Sequence, residues 1–189
     1  MDELLTPSLW RSCRAVANKN RLLLLKELIA QTSGTVDELA DAINKKACTC
    51  SQWLRLMNSR GLLQVSREGR WVRYSIGTDP AVKHALPLMN ALCATLKRCR
   101  VQNDYDAVLK DLTIFTHPRR ILLVKTIHTF GKARAVELQY RCKFSEEALF
   151  RHLSKLLRRG VVVKCDDGYS VNMPNRILAR TLLELVLKE

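Results

Sequence analysis

Between positions 45 and 57 the chain sets Lys45, Lys46, Thr49, Ser51, Gln52 and Arg55 around Ala47, Cys50, Leu54 and Met57. The apolar four recur at helical spacing, which predicts an amphipathic helix over 46–60 with the polar set on or near its outer face. On such a face glutamine can bridge an adenine edge, arginine can fork onto guanine, and lysines at the helix start can meet phosphate. Gly61 closes the helix and an apolar strand is predicted at 62–66. After a tight turn at Glu68-Gly69, Trp71, Arg73 and Ser75 alternate with Val72, Tyr74 and Ile76. Arg67, Arg70 and Arg73 flank this hairpin, a charge suited to phosphates or to a narrow minor groove. Helix, strand and arginine-flanked hairpin is the plan of a winged helix. Its candidate DNA-binding residues are the polar set on helix 46–60 and the three wing arginines. The competing reading is a solvated polar helix on a protein-interaction winged helix.

The elements that must carry these residues follow from length and pattern. A chain of 189 residues holds one medium domain or two small ones. An apolar content of 47 % with seven glycines and five prolines reads as compact and helix-rich. Lys and Arg number 32 against 18 Asp and Glu, giving +14, and the excess is +8 over residues 1–100 and +6 over residues 101–189. A basic surface on a folded chain favours polyanions, because each neutralised phosphate releases counterions. Charge alone also fits RNA or anionic lipid. No run of 18 uncharged apolar residues exists, so no membrane association is expected. Met1-Asp2-Glu3-Leu4-Leu5 lacks the basic start of a signal peptide, which makes the cytoplasm the expected compartment.

A second copy of the pattern lies 99 residues on. From Arg21 against Arg120 to Gly61 against Gly160, nine of 41 ungapped positions are identical, where chance gives roughly two or three. Beyond the glycine the offset drops to 95, aligning Tyr74-Ser75-Ile76 with Tyr169-Ser170-Val171, so the second hairpin is four residues shorter. The first unit is predicted to hold helices at 7–17, 19–31, 35–43 and 46–60, the hairpin, and a last helix capped by Asp79-Pro80. That helix should run to about 100 and kink or restart at Pro87. The second unit is predicted with helices near 104–116, 118–130, 134–142, 145–159 and 175–188, and a hairpin between 161 and 171. Val101-Gln102-Asn103-Asp104 is the linker. The expected fold class is mostly α with small β-hairpins (α+β), as two tandem winged helix-turn-helix domains over 1–100 and 101–189.

The first unit resembles the arsenical-resistance-repressor (ArsR) family of winged-helix regulators. The resemblance rests on Ala17-Asn18-Lys19-Asn20-Arg21-Leu22, Thr35-Val36-Asp37-Glu38-Leu39-Ala40, Thr49-Cys50-Ser51-Gln52-Trp53-Leu54 and Gly69-Arg70-Trp71-Val72-Arg73-Tyr74, and covers roughly 8–100. His117-Pro118-Arg119-Arg120-Ile121 and Arg151-His152-Leu153 keep family style in the second unit. Family members form homodimers through their first and last helices and repress promoters. The resemblance therefore implies a sequence-specific, double-stranded-DNA-binding regulator, acting as a repressor. Its tandem copies would pair within one chain as a pseudo-dimer, with a further homodimer left open. Family metal sensors carry Cys-x-Cys at the start of the third helix, where this chain has Thr35 and Asp37.

The second unit departs from the first in charge. Its reading helix opens Ser145-Glu146-Glu147, a good capped start that repels phosphate. Its turn is Asp166-Asp167-Gly168 in place of arginines, although Arg151, Lys155 and Arg158 stay as candidate DNA contacts. Seven cysteines without a Cys-x-x-Cys pair read as reduced thiols, and no metal or cofactor is expected. Cys48 and Cys50 point about 200° apart on a helix and cannot easily grip one ion. If the first and last helices pack as in the family, Cys13 and Cys93 are candidates for a redox pair; the alternative is two buried free thiols. No phosphate loop, nucleophile elbow or His-Glu-x-x-His is present, and no enzyme activity is expected. Two alternatives to the regulator stay open: a tandem winged-helix replication initiator, and a winged-helix scaffold for other proteins.

Overall fold

The computed structural model describes residues 7–188. The reading of Met1–Leu5 lies outside them. The first half runs α1 (Leu9–Val16), α2 (Lys19–Gln31), β1 (Ser33–Thr35), α3 (Val36–Ala42), α4 (Ala47–Asn58), β2 (Leu63–Glu68), β3 (Trp71–Ile76) and α5 (Ala85–Leu96). The second runs α6 (Gln102–Leu112), α7 (Pro118–Phe130), α8 (Ala135–Cys142), α9 (Glu146–Arg158), β4 (Val162–Cys165), β5 (Gly168–Val171) and α10 (Ile177–Lys188). The molecule is mostly helical with two small antiparallel sheets. No helix among the described residues is long and apolar enough to cross a membrane.

Local chemistry sets the helix starts. The Asn18 side chain accepts from the backbone N–H groups of Asn20 and Arg21, at 3.0 and 3.3 Å, and so opens α2. In the same place before α7, His117 Nδ1 accepts from the N–H of Arg119 at 3.2 Å, and Pro118 supplies a first residue with no N–H to satisfy. Thr35 and Glu38 close a reciprocal capping box on α3. Buried Leu22, Leu24, Leu25, Leu28, Leu54 and Met57 line the first half of the core. Phe115, Leu123, Ile127, Leu153 and Leu156 line the second. Each such side chain stabilises the fold by about 1.5–3 kcal/mol relative to exposure.

Matching positions of the two halves do matching things. Arg21 Nη2 donates to the carbonyl of Arg14 at 3.3 Å, and Arg120 Nη2 to the carbonyl of Thr113 at 2.9 Å. Left-handed backbone recurs at the 99-residue offset: Thr32 and Gly131 (φ 65° and 68°), Asn44 and Lys143 (both 52°), Gly61 and Gly160 (67° and 68°). In the first sheet β3 lies between β1 and β2, with Gly34 opposite Tyr74. The second sheet has only β4 and β5, but Ala133 and Tyr169 exchange both backbone bonds, at 3.1 and 2.9 Å, where Gly34 and Tyr74 would stand. A Cβ on Gly168 would meet the Ala133 carbonyl oxygen at 2.5 Å, so this close approach demands glycine. Between the halves, α5 packs along α10, and α1 and α2 pack against α6.

Three expectations are corrected. The last helix of the first half starts at Ala85, not at Asp79-Pro80. The Asp79 carboxylate instead accepts from the N–H of Ala81 at 2.9 Å, and the Asp79 N–H is held by the carbonyl of Gly61 at 3.0 Å, folding 79–82 into a turn over that glycine. Pro87 therefore falls in the first turn of α5, where a missing N–H costs nothing, and that helix starts afresh rather than being broken there. Finally, 101–104 is no linker: Val101 is the N-cap of α6 and Gln102, Asn103 and Asp104 form its first turn. Asp104 accepts from the N–H groups of Arg100 and Val101, at 2.5 and 3.0 Å, which starts α6 with only five residues between it and the end of α5.

Candidate nucleic-acid interface

α4 is fixed from below by Cys50, Leu54 and Met57, all fully buried. Its other face exposes Lys45, Lys46, Gln52 and Arg55, with Thr49 and Ser51 half-buried beside them. Lys46 is the N-cap residue, and its side chain makes no capping bond. The N–H groups of Thr49 and Cys50 turn back to the Lys46 carbonyl, at 3.0 and 3.1 Å, but no side chain caps the first turn. The helix start stands beside two lysines, an arrangement that favours an anion.

The hairpin brings a second basic element to the same half. Glu68 pairs with Trp71, leaving a two-residue turn of Gly69 and Arg70, one position beyond the expected turn. Gly69 takes φ +61° at the first central position, as a tight right-twisted hairpin requires. Arg67 and Arg70 are exposed, and the Arg70 guanidinium lies 4.9 Å from the ring centre of Trp71, itself 49 % exposed. Arg73 is placed differently. It lies 3.5 Å from Glu38 and 3.8 Å from Glu68 and donates to Ser33 Oγ at 3.4 Å, so two carboxylates already answer its charge. The backbone N–H of Thr35, with Arg73 assisting, holds Glu38 below the usual carboxylate range. Arg73 ties the root of the hairpin to α3, a role its sequence context does not signal.

In α9, Ser145 Oγ accepts from the N–H of Ala148 at 3.3 Å, and Glu146 and Glu147 fill the first turn. Arg151 and Arg158 are exposed and seven residues apart, on one stripe of the helix. Lys155 between them is half-buried, its pKa lowered by burial and by Arg120, Arg159 and Arg158. His152 points inward at the position of Trp53. It is buried, its ring lies 4.5 Å from that of His117, and its Nε2 has no partner among the described residues. Burial, with His117 and the arginines around it, lowers its pKa to about 4. The β4–β5 turn carries Asp166 and Asp167, both exposed.

None of the cysteines forms a disulfide among the described residues. Ser12, next to Cys13, bonds His84 at the start of α5 at 2.8 Å, and Cys93 lies nine residues further along, about 13 Å up that helix. No disulfide joins Cys13 and Cys93, and burial pushes the Cys93 thiol up, away from the reactive thiolate. No group of three or more metal-binding side chains occurs among the described residues.

No family model matches the chain, and no solved structure matches it. Over 79 residues it is 30 % identical to an uncharacterised HTH-type transcriptional regulator of Methanocaldococcus jannaschii, a match that takes in 42 % of this chain and 88 % of the relative. With an exposed polar helix set over a buried core beside a basic hairpin, and a relative matched over most of its length, the chain belongs to the helix-turn-helix transcriptional regulators.

Proposed function

We propose that this chain is a sequence-specific DNA-binding transcriptional repressor built from two tandem winged-helix units, of which the first is the main reader. One observation carries the reading: Lys45, Lys46, Gln52 and Arg55 are exposed together on α4, at an uncapped helix start, in the same unit as the free arginines 67 and 70 of the hairpin. Gln52 and Arg55 read base edges, with Thr49 and Ser51 at the margin of the same face. The lysines and wing arginines hold phosphate, and Arg73 acts as a strut for the wing. The assignment to repression rests on the ArsR resemblance.

The tandem reading, 1–100 and 101–189, is supported by the matching left-handed residues, the matching arginine bonds, and the equivalent strand contacts at Tyr74 and Tyr169. Last helix against last helix (α5 and α10) and first against first (α1 and α6) support an internal pseudo-dimer. Unit two, with a capped helix start and an acidic turn, serves pairing before reading. Its Arg151, Lys155 and Arg158 supply secondary phosphate contacts.

The test is fluorescence-anisotropy binding to the DNA upstream of its own gene and to a scrambled duplex, at about 150 mM salt. A preference of about a thousandfold or more is expected. Equal, weak binding that vanishes as salt rises overturns the reading. Arg70→Ala should weaken binding on both duplexes, whereas Gln52→Ala should cost affinity only on the target.

A further inference from the structure

Away from the reading face, α5, α6 and the start of α10 line an open cavity of about 420 Å³ on the seam between the halves. That volume is in the range of small-molecule sites, about 300–1,000 Å³. Ala94 on α5, Ala107 and Val108 on α6, and Ile177 and Leu178 on α10 give it apolar walls. Four charged residues line it as well: Arg98, Asp104, Asp111 and Arg176.

The two carboxylates are already engaged. Asp104 accepts the backbone N–H groups that start α6, at 2.5 and 3.0 Å. Asp111, 2 % exposed, accepts from the Arg176 guanidinium, as a buried carboxylate must if it is to keep its charge. The cations are not used up. The Arg176 side chain is 53 % exposed, and Arg98 is exposed and makes no side-chain hydrogen bond or ion pair among the described residues. The lining is charge-balanced, two guanidiniums against two carboxylates, but each carboxylate already accepts from a donor. The unpaired Arg98 at the exposed rim is therefore the group that can meet the anionic head of a molecule with a hydrocarbon body.

We propose that this cavity binds a small apolar molecule bearing a single carboxylate, its head at Arg98 and Arg176 and its body against Ala94, Ala107, Val108 and Leu178. The ligand bridges helices of both halves. The site goes beyond DNA reading and is independent of it, because its test contains no DNA.

Titration calorimetry of the full chain with octanoate, and separately with octylammonium, is the test. Saturable one-to-one binding of octanoate is expected, weakened about tenfold by Arg98→Gln, which removes a charged hydrogen bond from a solvent-exposed position. Ala107→Phe, checked for an unchanged melting temperature, should fill the hollow and remove binding. Octylammonium bound as tightly as octanoate, octanoate binding untouched by both variants, or no octanoate binding to the unaltered chain would each overturn the proposal.

Discussion

α4 and α9 occupy matching places in the two halves, yet they present opposite faces to an incoming polyanion. α4 begins without a side-chain cap, with Lys45 and Lys46 at its start. α9 begins closed, with Ser145 bonded to Ala148 and two glutamates in its first turn. The hairpins differ likewise: fourteen residues, Leu63–Ile76, with arginines at the tip, against ten, Val162–Val171, with two aspartates. The inner positions barely change, Leu54 matching Leu153 and Met57 matching Leu156, all fully buried. A packed core restrains what faces it, whereas a solvated face is free to alter its charge without loss of fold.

The largest test of that contrast concerns acid. His152 has a folded pKa of about 4, below the ordinary 6.5 of the unfolded chain, so unfolding takes up a proton between pH 6.5 and 4. Its stabilising effect is complete above pH 6.5 and is lost as pH falls through that window, about 3 kcal/mol in all. His117, also lowered by burial, acts in the same direction. The first half has asparagine and tryptophan, Asn18 and Trp53, at these two positions. Denaturant melts at pH 7 and pH 4 should therefore show a smaller acid loss for His152→Phe than for the unaltered chain; an identical loss would discard the idea.

Next in size is the pair of exposed faces on α4 and α9, of which the first is the proposed reader. Arg55→Ala should cost about 1–3 kcal/mol of discrimination for target DNA. Ser154→Ala, at the matching position of α9, should leave affinity unchanged within error. Equal losses would mean that both halves read bases. In that case two bound sites about 34–36 Å apart should appear in footprints.

The smallest effect exchanges the helix starts. Lys46→Ser should raise thermal stability by about 1 kcal/mol by capping α4, while weakening DNA binding through loss of charge. A gain in both would show that the bare start of α4 serves no anion.

Much of this was legible in the sequence. The α4 pattern places Cys50, Leu54 and Met57 inward, where they are found, and the shortened second hairpin follows from the change of offset at Gly160. What was not legible depended on contacts distant in sequence. Asp79-Pro80 carries the chemistry of a helix start, but the fold spends it on a turn over Gly61, where even a Cβ would collide with Asp79 at 2.9 Å. β1 is three small polar residues with no alternation to betray it. Arg73 reads as one more wing cation until Glu38, 35 residues away, is brought to 3.5 Å. The Asp111–Arg176 pair joins positions 65 residues apart and leaves no local signature.

The short passage from α5 into α6 has a consequence for the kind of DNA site such a chain selects. A homodimer presents two identical faces about a two-fold axis, and its operator must mirror that symmetry. Here two unlike faces are joined by covalent bonds, with Arg100 and Val101 already held by Asp104 as the second half begins. Neither face has to suit itself, and substitutions on one are not copied onto the other. On the proposed reading, the natural target is a non-palindromic sequence bound in one orientation, so that the protein gives a promoter a direction as well as an address.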